Sequence, residues 1–274
     1  MKKLPQTTGE GNKSVEDASH SAYHSEFIRA PEGGSPSRTI FLFIHGILGS
    51  PAHFNEFYGA IPKSFAIHAM LLAGHGSSAS EFAKSGMATW KREVNELLVK
   101  LEKEYESIII VAHSMGALFA IENTIMHEKI RGLVLLNAPL KVRIRRAAVK
   151  NALAVAYSSY SPDNVSVQAA KSKCSVLPSQ NPFVYISWLP NFVALLHEIR
   201  AVRRLIPRLT ERAAALSVTA FHSRMDELVS KKAIEYLRHC PFIKVRELSQ
   251  STHFYYPDED IRQIIGIIQS FTFV

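Results

Sequence analysis

Cysteine is scarce in this sequence of 274 residues, which contains only Cys174 and Cys240. Two cysteines so far apart along the chain provide neither a disulfide framework nor a cluster of metal ligands. Because so little cysteine is typical of proteins in a reducing compartment, we expect a cytoplasmic location.

Long apolar runs are also missing, and no run approaches the roughly 20 residues that a membrane-spanning helix needs. Residues 1–5 include two lysines, but no apolar segment follows them, so the sequence predicts no secretory signal. Residues 6–21 are polar and rich in glycine and serine. This composition favours a flexible tail over residues 1–22.

Positive charge is concentrated in one part of the chain. Residues 141–212 contain 12 Lys and Arg against three Asp and Glu, a net charge of +9, whereas the whole chain carries +8. The remainder is therefore close to neutral. Since no nucleic-acid-binding motif accompanies the basic residues, nucleic acid is not an expected partner.

Apolar strands and amphipathic helices alternate along most of the sequence. Strands are predicted at Tyr23–Arg29, Thr39–Ile44, Phe65–Leu72, Ser107–Val111, Ile130–Leu136, Leu216–Phe221 and Ile243–Leu248. Such alternation implies right-handed βαβ units, and therefore an α/β fold with a mostly parallel central sheet and helices on both faces. The alternation stops at Pro139 and resumes at Leu216, which predicts a core of residues 23–140 and 216–274.

The interrupting segment, residues 141–215, is expected to be a helical insertion because it shows helical periodicity and no convincing strand. One amphipathic stretch has Val149, Ala152, Leu153 and Ala156 on a single face, and a second has Phe192, Leu195, Leu196, Ile199, Val202 and Ile206. Arginines at positions 200, 203, 204 and 208 accompany the second stretch. A basic amphipathic helix of this kind can contact an anionic lipid surface, or it can pack its apolar face on the core.

Ser114 occupies a distinctive position in the sequence Ala112-His113-Ser114-Met115-Gly116, after a β-branched run and before a helix-forming stretch. A strand–turn–helix of this pattern holds a serine in a strained backbone conformation and exposes its hydroxyl above the sheet. The Met115 N–H at the start of the helix could then face a developing oxyanion. We therefore predict Ser114 as a nucleophile.

A serine nucleophile needs a base, and the base needs an acid that orients it. In a parallel sheet these groups lie at the carboxyl ends of strands. Asp226 follows the strand Leu216–Phe221, and His253 follows the strand Ile243–Leu248. The order Ser114, Asp226, His253 is therefore the predicted catalytic set. Glu227 is the alternative to Asp226.

The second oxyanion donor is expected in the loop after strand Thr39–Ile44, where Gly46 permits an unusual turn that points the Ile47 N–H into the site. His45, Gly46 and His113 border this position and are predicted to contribute to substrate binding. An imidazole in a His-Gly turn, such as that of His45, also commonly bonds to backbone instead.

These motifs together resemble the α/β-hydrolase superfamily, and in particular bacterial carboxylesterases and monoacylglycerol lipases with a small helical lid. The resemblance spans residues 39–271 and includes the segments Phe43-Ile44-His45-Gly46, Leu72-Ala73-Gly74-His75-Gly76-Ser77 and Ser251-Thr252-His253. It implies an α/β-hydrolase fold, Ser114 as nucleophile, His253 as base, Asp226 as orienting acid, and Ile47 and Met115 as oxyanion-hole residues. It also implies that residues 141–215 form the lid.

The resemblance implies a serine hydrolase that cleaves small carboxylic esters, such as monoacylglycerols or short- and medium-chain acyl esters, without a cofactor or metal. Phe183, Trp188, Leu189 and Phe192 of the lid are expected either to form a substrate pocket or to pack as the lid core. A thioesterase, amidase or peptidase would use the same catalytic residues. A non-catalytic binding module of the same fold is the alternative outside enzymes.

Overall fold

The computed structural model describes residues 24–34, 36–143, 165–179 and 181–273. Its seven strands are β1 (Phe27–Arg29), β2 (Thr39–Ile44), β3 (Ala66–Met70), β4 (Ser107–His113), β5 (Ile130–Leu136), β6 (Ser217–Ser223) and β7 (Lys244–Leu248). They form one sheet in the order β1-β3-β2-β4-β5-β6-β7. Strand β1 pairs antiparallel with β3, and all other neighbours are parallel.

Eight α-helices lie in the described part of the chain. They are α1 (Asn55–Tyr58), α2 (Ala79–Lys84), α3 (Met87–Glu104), α4 (Met115–Thr124), α5 (Val165–Lys173), α6 (Leu189–Leu205), α7 (Ala233–Arg238) and α8 (Asp258–Ser270). Three 3-10 helices span Pro51–Phe54, Pro182–Trp188 and Ile206–Arg212. None of the helices that the structure describes is long and apolar enough to cross a membrane.

The core lies on both faces of the sheet because successive side chains of a strand point to opposite sides. In β2, Leu42 and Ile44 pack into one cluster with residues of α3, α4 and α6. Phe41 and Phe43 pack into a second cluster with residues of α1 and α8. The predicted α/β architecture, a mostly parallel sheet covered on both faces, is therefore confirmed.

The observed strand β3 is shorter than its predicted range Phe65–Leu72. The N–H of Phe65 donates to the carbonyl oxygen of Pro62 in a turn, and the N–H of Leu72 donates to Nε2 of His45. Both end residues are buried apolar side chains, but their backbones bond outside the sheet ladder. Hydrophobicity alone therefore overestimates the length of this strand.

The described residues between β5 and β6 form helices, as the sequence predicts for this segment. Ile199 and Val202 of α6 are fully buried against the core. The indole Nε1 of Trp188 donates to the Ala79 carbonyl at 2.9 Å, and Nδ2 of Asn191 donates to the Ser85 carbonyl at 3.1 Å. These contacts fix α6 on the core. The predicted tail over residues 1–22 and the predicted amphipathic stretch from Val149 to Ala156 lie outside the described residues.

The predicted single apolar face of α6 is wrong in its first half. Phe192 and Leu196 are 38% and 40% exposed, while Ile199, Val202 and Ile206 are buried as expected. The first half of the helix is apolar on both sides, so a periodicity of 3.6 residues cannot separate its buried face from its exposed one. In this half the buried residue is the polar Asn191, and Leu195 is partly buried against the core.

Candidate active site

Ser114 lies in a sharp turn between β4 and α4, with φ 52° and ψ −120°. A non-glycine residue with positive φ is strained, and such strain is concentrated at functional sites. The turn requires glycine two residues later, because a Cβ at Gly116 would lie 2.2 Å from the Ile44 carbonyl oxygen. Ala112 is fully buried in β4, where its small side chain is accommodated. The local sequence thus dictates the position of the Ser114 hydroxyl, although Ser114 is buried and not exposed as predicted.

Ser114, His253 and Asp226 form a continuous hydrogen-bonded chain. Nε2 of His253 lies 3.2 Å from Oγ of Ser114, and Nδ1 of His253 lies 2.7 Å from Oδ2 of Asp226. The second carboxylate oxygen, Oδ1 of Asp226, accepts the N–H groups of Leu228 and Val229 at 2.8 and 2.7 Å. This arrangement fixes the carboxylate, and with it the orientation of the imidazole.

Glu227, the alternative orienting acid, occupies a different position. Its Oε2 atom accepts the backbone N–H of His253 at 3.2 Å, and the ring contact belongs to Asp226. Both carboxylates therefore hold His253, one through the ring and one through the backbone. The sequence pattern does not distinguish these two contacts.

The pKa values of His253 and Asp226 are shifted in opposite directions, the first upward and the second downward. Burial disfavours the charged imidazole, but the Asp226 carboxylate and the nearby Glu227 outweigh it and hold the pKa of His253 above its ordinary value. Burial also acts to raise the pKa of Asp226, but the interaction with His253 and the two backbone N–H groups lowers it overall. Asp226 is therefore ionised at neutral pH, as an orienting group must be.

The loop Gly46–Ser50 lies directly beside Ser114. A Cβ at Gly46 would lie 2.8 Å from Cβ of Ser114, so only glycine permits this approach. In the described part of the chain the Ile47 N–H donates no hydrogen bond, and the Met115 N–H, at the first position of α4, has no intrahelical acceptor. Two N–H groups on adjacent elements are thus available beside the hydroxyl.

His45 and His113 both bond to protein backbone, and their contribution to substrate binding stays a prediction. In His45, Nδ1 lies 2.8 Å from the Gly46 carbonyl and Nε2 accepts the Leu72 N–H at 3.1 Å. Burial lowers the pKa of His45 to about 4, so the ring is neutral. Nε2 of His113 lies 3.0 Å from the carbonyl oxygen of His253. Both rings are buried and support the loops around Ser114.

The insertion residues predicted to form either a substrate pocket or the lid core differ widely in exposure. Phe183 and Leu189 are 74% and 58% exposed, and Phe192 is also exposed. Trp188 is buried and packs on Phe82 and Tyr185, with ring centroids 4.8 and 4.9 Å apart. Trp188 therefore anchors α6, and the other three side chains lie at the surface.

Asn137 is a site residue that the sequence reasoning missed. Its Oδ1 accepts the Ser223 N–H at 2.8 Å, and its Nδ2 donates to the Tyr256 hydroxyl at 3.2 Å and lies 3.5 Å from the His253 carbonyl. One side chain thus ties the ends of β5 and β6 to the loop that carries His253. The signal available in the sequence was a polar residue at the carboxyl end of a buried strand. In the structure this residue has φ 50°.

The arrangement suits transfer of a proton from a hydroxyl to a neutral imidazole beside two N–H donors. Among the side chains that the structure describes, no group of three His, Cys, Asp or Glu is arranged to hold a metal ion. The site therefore brings together a hydroxyl, an imidazole held by a carboxylate, and two backbone N–H groups.

The profile of the Alpha/beta hydrolase family matches residues 41–264 of this sequence. The matched range covers most of the chain and includes every residue of the site. The protein belongs to the alpha/beta hydrolase family. A search of curated proteins finds no match.

Solved structures of lipolytic enzymes and esterases share the fold. A structure from work on the metagenome-derived lipolytic enzymes LipS and LipT is 20% identical, with a TM-score of 0.66 and coverage of 90% of this chain and 96% of that one. A structure from work on carboxylesterases of Nitrososphaera gargenis is 18% identical, with a TM-score of 0.62 and coverage of 90% and 95%. A monoglyceride lipase from Saccharomyces cerevisiae is 12% identical, with a TM-score of 0.61 and coverage of 90% of both chains.

Proposed function

We propose that the protein is a serine hydrolase that cleaves carboxylic esters through a covalent acyl-enzyme. The observation that supports this most strongly is the hydrogen-bonded chain from Ser114 through His253 to Asp226, with distances of 3.2 and 2.7 Å. Ser114 is the proposed nucleophile, His253 the proposed base and acid, and Asp226 the orienting carboxylate. The N–H groups of Ile47 and Met115 are the proposed oxyanion hole.

In the proposed reaction, Oγ of Ser114 attacks the ester carbonyl carbon while Nε2 of His253 accepts the hydroxyl proton. The carbonyl oxygen becomes an oxyanion bound by the two N–H groups. The bond to the leaving alkoxide breaks, and His253 returns the proton to it, which leaves an acyl ester on Ser114. Water then attacks this ester with His253 again as base, and the acid leaves as Ser114 regains its proton. Each step uses protein groups and water.

We propose small esters, such as monoacylglycerols or short- and medium-chain acyl esters, as the substrate class. The support is the fold shared with proteins described as carboxylesterases and as a monoglyceride lipase. A series of nitrophenyl esters of increasing acyl length tests this class. A rate maximum at short or medium chains that disappears in Ser114→Ala supports it, and a rate that Ser114→Ala leaves intact contradicts it.

The same catalytic residues would serve a thioesterase, amidase or peptidase. Matched substrates with one acyl group on oxygen, sulfur or an anilide nitrogen separate these activities. We expect the ester to give the highest kcat/KM. A higher kcat/KM for the thioester or anilide would replace the ester assignment while keeping Ser114 as nucleophile. The cytoplasmic location stays a prediction from the cysteine content.

We also propose that helix α6 lets the enzyme contact anionic lipid, from which a lipid-like ester could be drawn. The first half of its exposed face is apolar, with Leu189, Phe192, Val193 and Leu196. The second half carries the exposed residues Arg200 and Arg204. The single acidic residue of the helix, Glu198, is buried and bonded to Lys91 at 3.0 Å. An exposed face with apolar and basic residues is complementary to an anionic lipid surface.

Two of the four arginines considered for this contact, Arg203 and Arg208, already interact with other side chains of the protein. Nη1 of Arg203 donates to the Tyr236 hydroxyl at 3.0 Å, and Arg208 lies 3.7 Å from Glu211. Arg200 and Arg204 make no ion pair with another described residue. Each basic side chain near an anionic membrane contributes about 1 kcal/mol, so two arginines and an apolar face predict weak, reversible binding.

Co-sedimentation with vesicles tests the lipid contact. We expect binding to phosphatidylserine-containing vesicles and not to phosphatidylcholine vesicles, with loss above about 0.5 M salt as charges are screened. The double variant Arg200→Gln/Arg204→Gln should lose binding, whereas Lys100→Gln/Lys103→Gln on α3 should retain it. Equal binding to both vesicle types, or equal loss in both double variants, would contradict the proposal.

A further inference from the structure

The loop Gly46–Ser50 is bonded to the insertion as well as to the core. Ser175, two residues after α5, is fully buried. Its backbone N–H donates to the Leu48 carbonyl at 2.8 Å, and its Oγ donates to the Gly49 carbonyl at 2.6 Å. Two successive carbonyls of the loop are therefore held by one residue that lies more than 120 positions away in the sequence.

The conformation of the loop explains why external bonds are needed. Leu48 has φ 60°, a left-handed conformation that costs free energy in a residue with a branched side chain. Within the loop, the described backbone hydrogen bond is the one from the Gly49 N–H to the Gly46 carbonyl at 3.0 Å. A strained turn with so little internal bonding persists only where its surroundings hold it.

His75 holds the same residue from the opposite side. Its Nε2 accepts the Leu48 N–H at 3.2 Å, while its Nδ1 lies 3.2 Å from the carbonyls of Leu72 and Ala73. Since carbonyls can only accept, Nδ1 carries the proton and Nε2 is the acceptor. Burial and the neighbouring His45 keep the pKa of His75 well below its ordinary value, so the ring stays neutral. Both backbone groups of Leu48 are thus bonded to residues outside the loop.

We infer that Ser175 and His75 are positioning residues that hold Leu48, and thereby aim the Ile47 N–H at the oxyanion. This inference rests on the proposed function. The Ile47 N–H shares its peptide group with the Gly46 carbonyl, which accepts the Gly49 N–H at 3.0 Å, so a shift of Leu48 and Gly49 turns this peptide group and with it the donor. The close approach of Gly46 to Ser114 leaves little space to absorb such a shift. The insertion therefore contributes to catalysis through Ser175, besides any part in substrate access.

Ser175→Ala tests the inference because it removes the Oγ contacts with the carbonyls of Leu48 and Gly49, at 3.4 and 2.6 Å, and keeps the backbone bond to Leu48. Removing an oxyanion donor outright costs about 10²–10³ in kcat, so a displaced donor should cost about tenfold, with KM nearly unchanged. Affinity for a trifluoromethyl ketone, whose adduct places an oxyanion in the hole, should fall about tenfold as well. Affinity for the alcohol product, which has no anionic oxygen for the oxyanion hole, should not change.

Ser172→Ala is the matched control, since Ser172 is exposed in the same segment and its Oγ bonds to Ala169 of its own helix. It should behave as wild type. The initial burst of nitrophenol measures the concentration of folded, active enzyme. Because kcat is calculated from this concentration, a loss of stability in Ser175→Ala does not lower the measured kcat. Equal kcat in Ser175→Ala and wild type, or a KM change as large as the kcat change, overturns the inference.

Ser114→Ala separates this inference from the function on which it depends. If Ser114→Ala retains activity, the proposed function fails. If Ser114→Ala is inactive and Ser175→Ala has wild-type kcat and wild-type ketone affinity, the function stands and only the positioning role fails.

Discussion

Nε2 of His113 lies 3.0 Å from the backbone carbonyl oxygen of His253, so the residue before the proposed nucleophile bonds to the proposed base. The His113 ring also stacks on His53, with ring centroids 3.8 Å apart. Burial, and then the neighbouring His253, lower the pKa of His113 well below its ordinary value. The ring is therefore neutral, and its Nε2–H donates to the carbonyl. This contact sets the distance between β4 and the loop of His253.

Replacing His113 should loosen the geometry of the proposed base without removing a reacting group. In His113→Ala we expect kcat/KM to fall by about 10- to 100-fold, because a misplacement of about 1 Å at a reacting centre has effects of this size. Steady-state ester hydrolysis measures the change. Wild-type activity in a folded His113→Ala protein would show that the contact has no role in positioning His253.

Asp226 and Glu227 should differ sharply in their effect on turnover. Asp226→Asn replaces the acceptor of the His253 ring and should lower kcat by about 10⁴. Glu227→Gln keeps an oxygen that can accept the His253 N–H, so its activity should stay within a few-fold of wild type. The comparison uses ester hydrolysis at neutral pH. A larger loss in Glu227→Gln than in Asp226→Asn would move the orienting role to Glu227.

The pH profile of kcat/KM should fall on the acid side, because a protonated His253 cannot accept the Ser114 proton. Asp226 holds the pKa of His253 above its ordinary value. The midpoint of this acid-side fall should therefore lie at a pH above the typical histidine pKa of about 6.5. In Asp226→Asn the burial that lowers the pKa remains while the carboxylate is gone. The residual activity should therefore show its midpoint at lower pH, and an unchanged midpoint would contradict this electrostatic account.

Gly116 and Gly266 provide a matched test of the packing at the nucleophile turn. A Cβ at Gly116 would lie 2.2 Å from the Ile44 carbonyl oxygen, whereas a Cβ at Gly266 in α8 would meet no atom within 4 Å. Gly116→Ala should lower the free energy of unfolding by about 1–3 kcal/mol or more. Gly266→Ala should raise it by up to about 1 kcal/mol, since alanine favours a helix interior. Urea unfolding measures both, and equal effects would rule out the steric explanation.

Much of the fold could be predicted from local patterns of apolar and polar residues in the sequence. Apolar runs separated by amphipathic helices predicted the parallel sheet, and a parallel sheet brings the ends of its strands to one edge. That reasoning selected Ser114, Asp226 and His253, and the structure brings these side chains within hydrogen-bonding distance. Their catalytic roles stay predictions until activity is measured.

Contacts between distant segments could not be predicted in this way. Asn137 bonds to residues 86 and 119 positions away, and Ser175 bonds to Gly49, 126 positions away. No spacing in the sequence indicates such long-range contacts, because they depend on how the loops pack against the folded sheet. The surface of α6 was missed for another reason. Phe192 and Leu196 are as apolar as the buried Ile199 and Val202, so composition did not indicate that they are exposed.

Reaction with a fluorophosphonate, followed by mass spectrometry of the labelled peptide, tests the proposed nucleophile most directly. A phosphonate bonds only to a serine that a base activates and that has oxyanion donors beside it. We predict one covalent adduct per chain, on Ser114, with loss of ester hydrolysis in proportion to labelling and no adduct in Ser114→Ala. An adduct on another serine, or hydrolysis that continues after Ser114 is fully labelled, would contradict the assignment of Ser114, His253 and Asp226 as the catalytic residues.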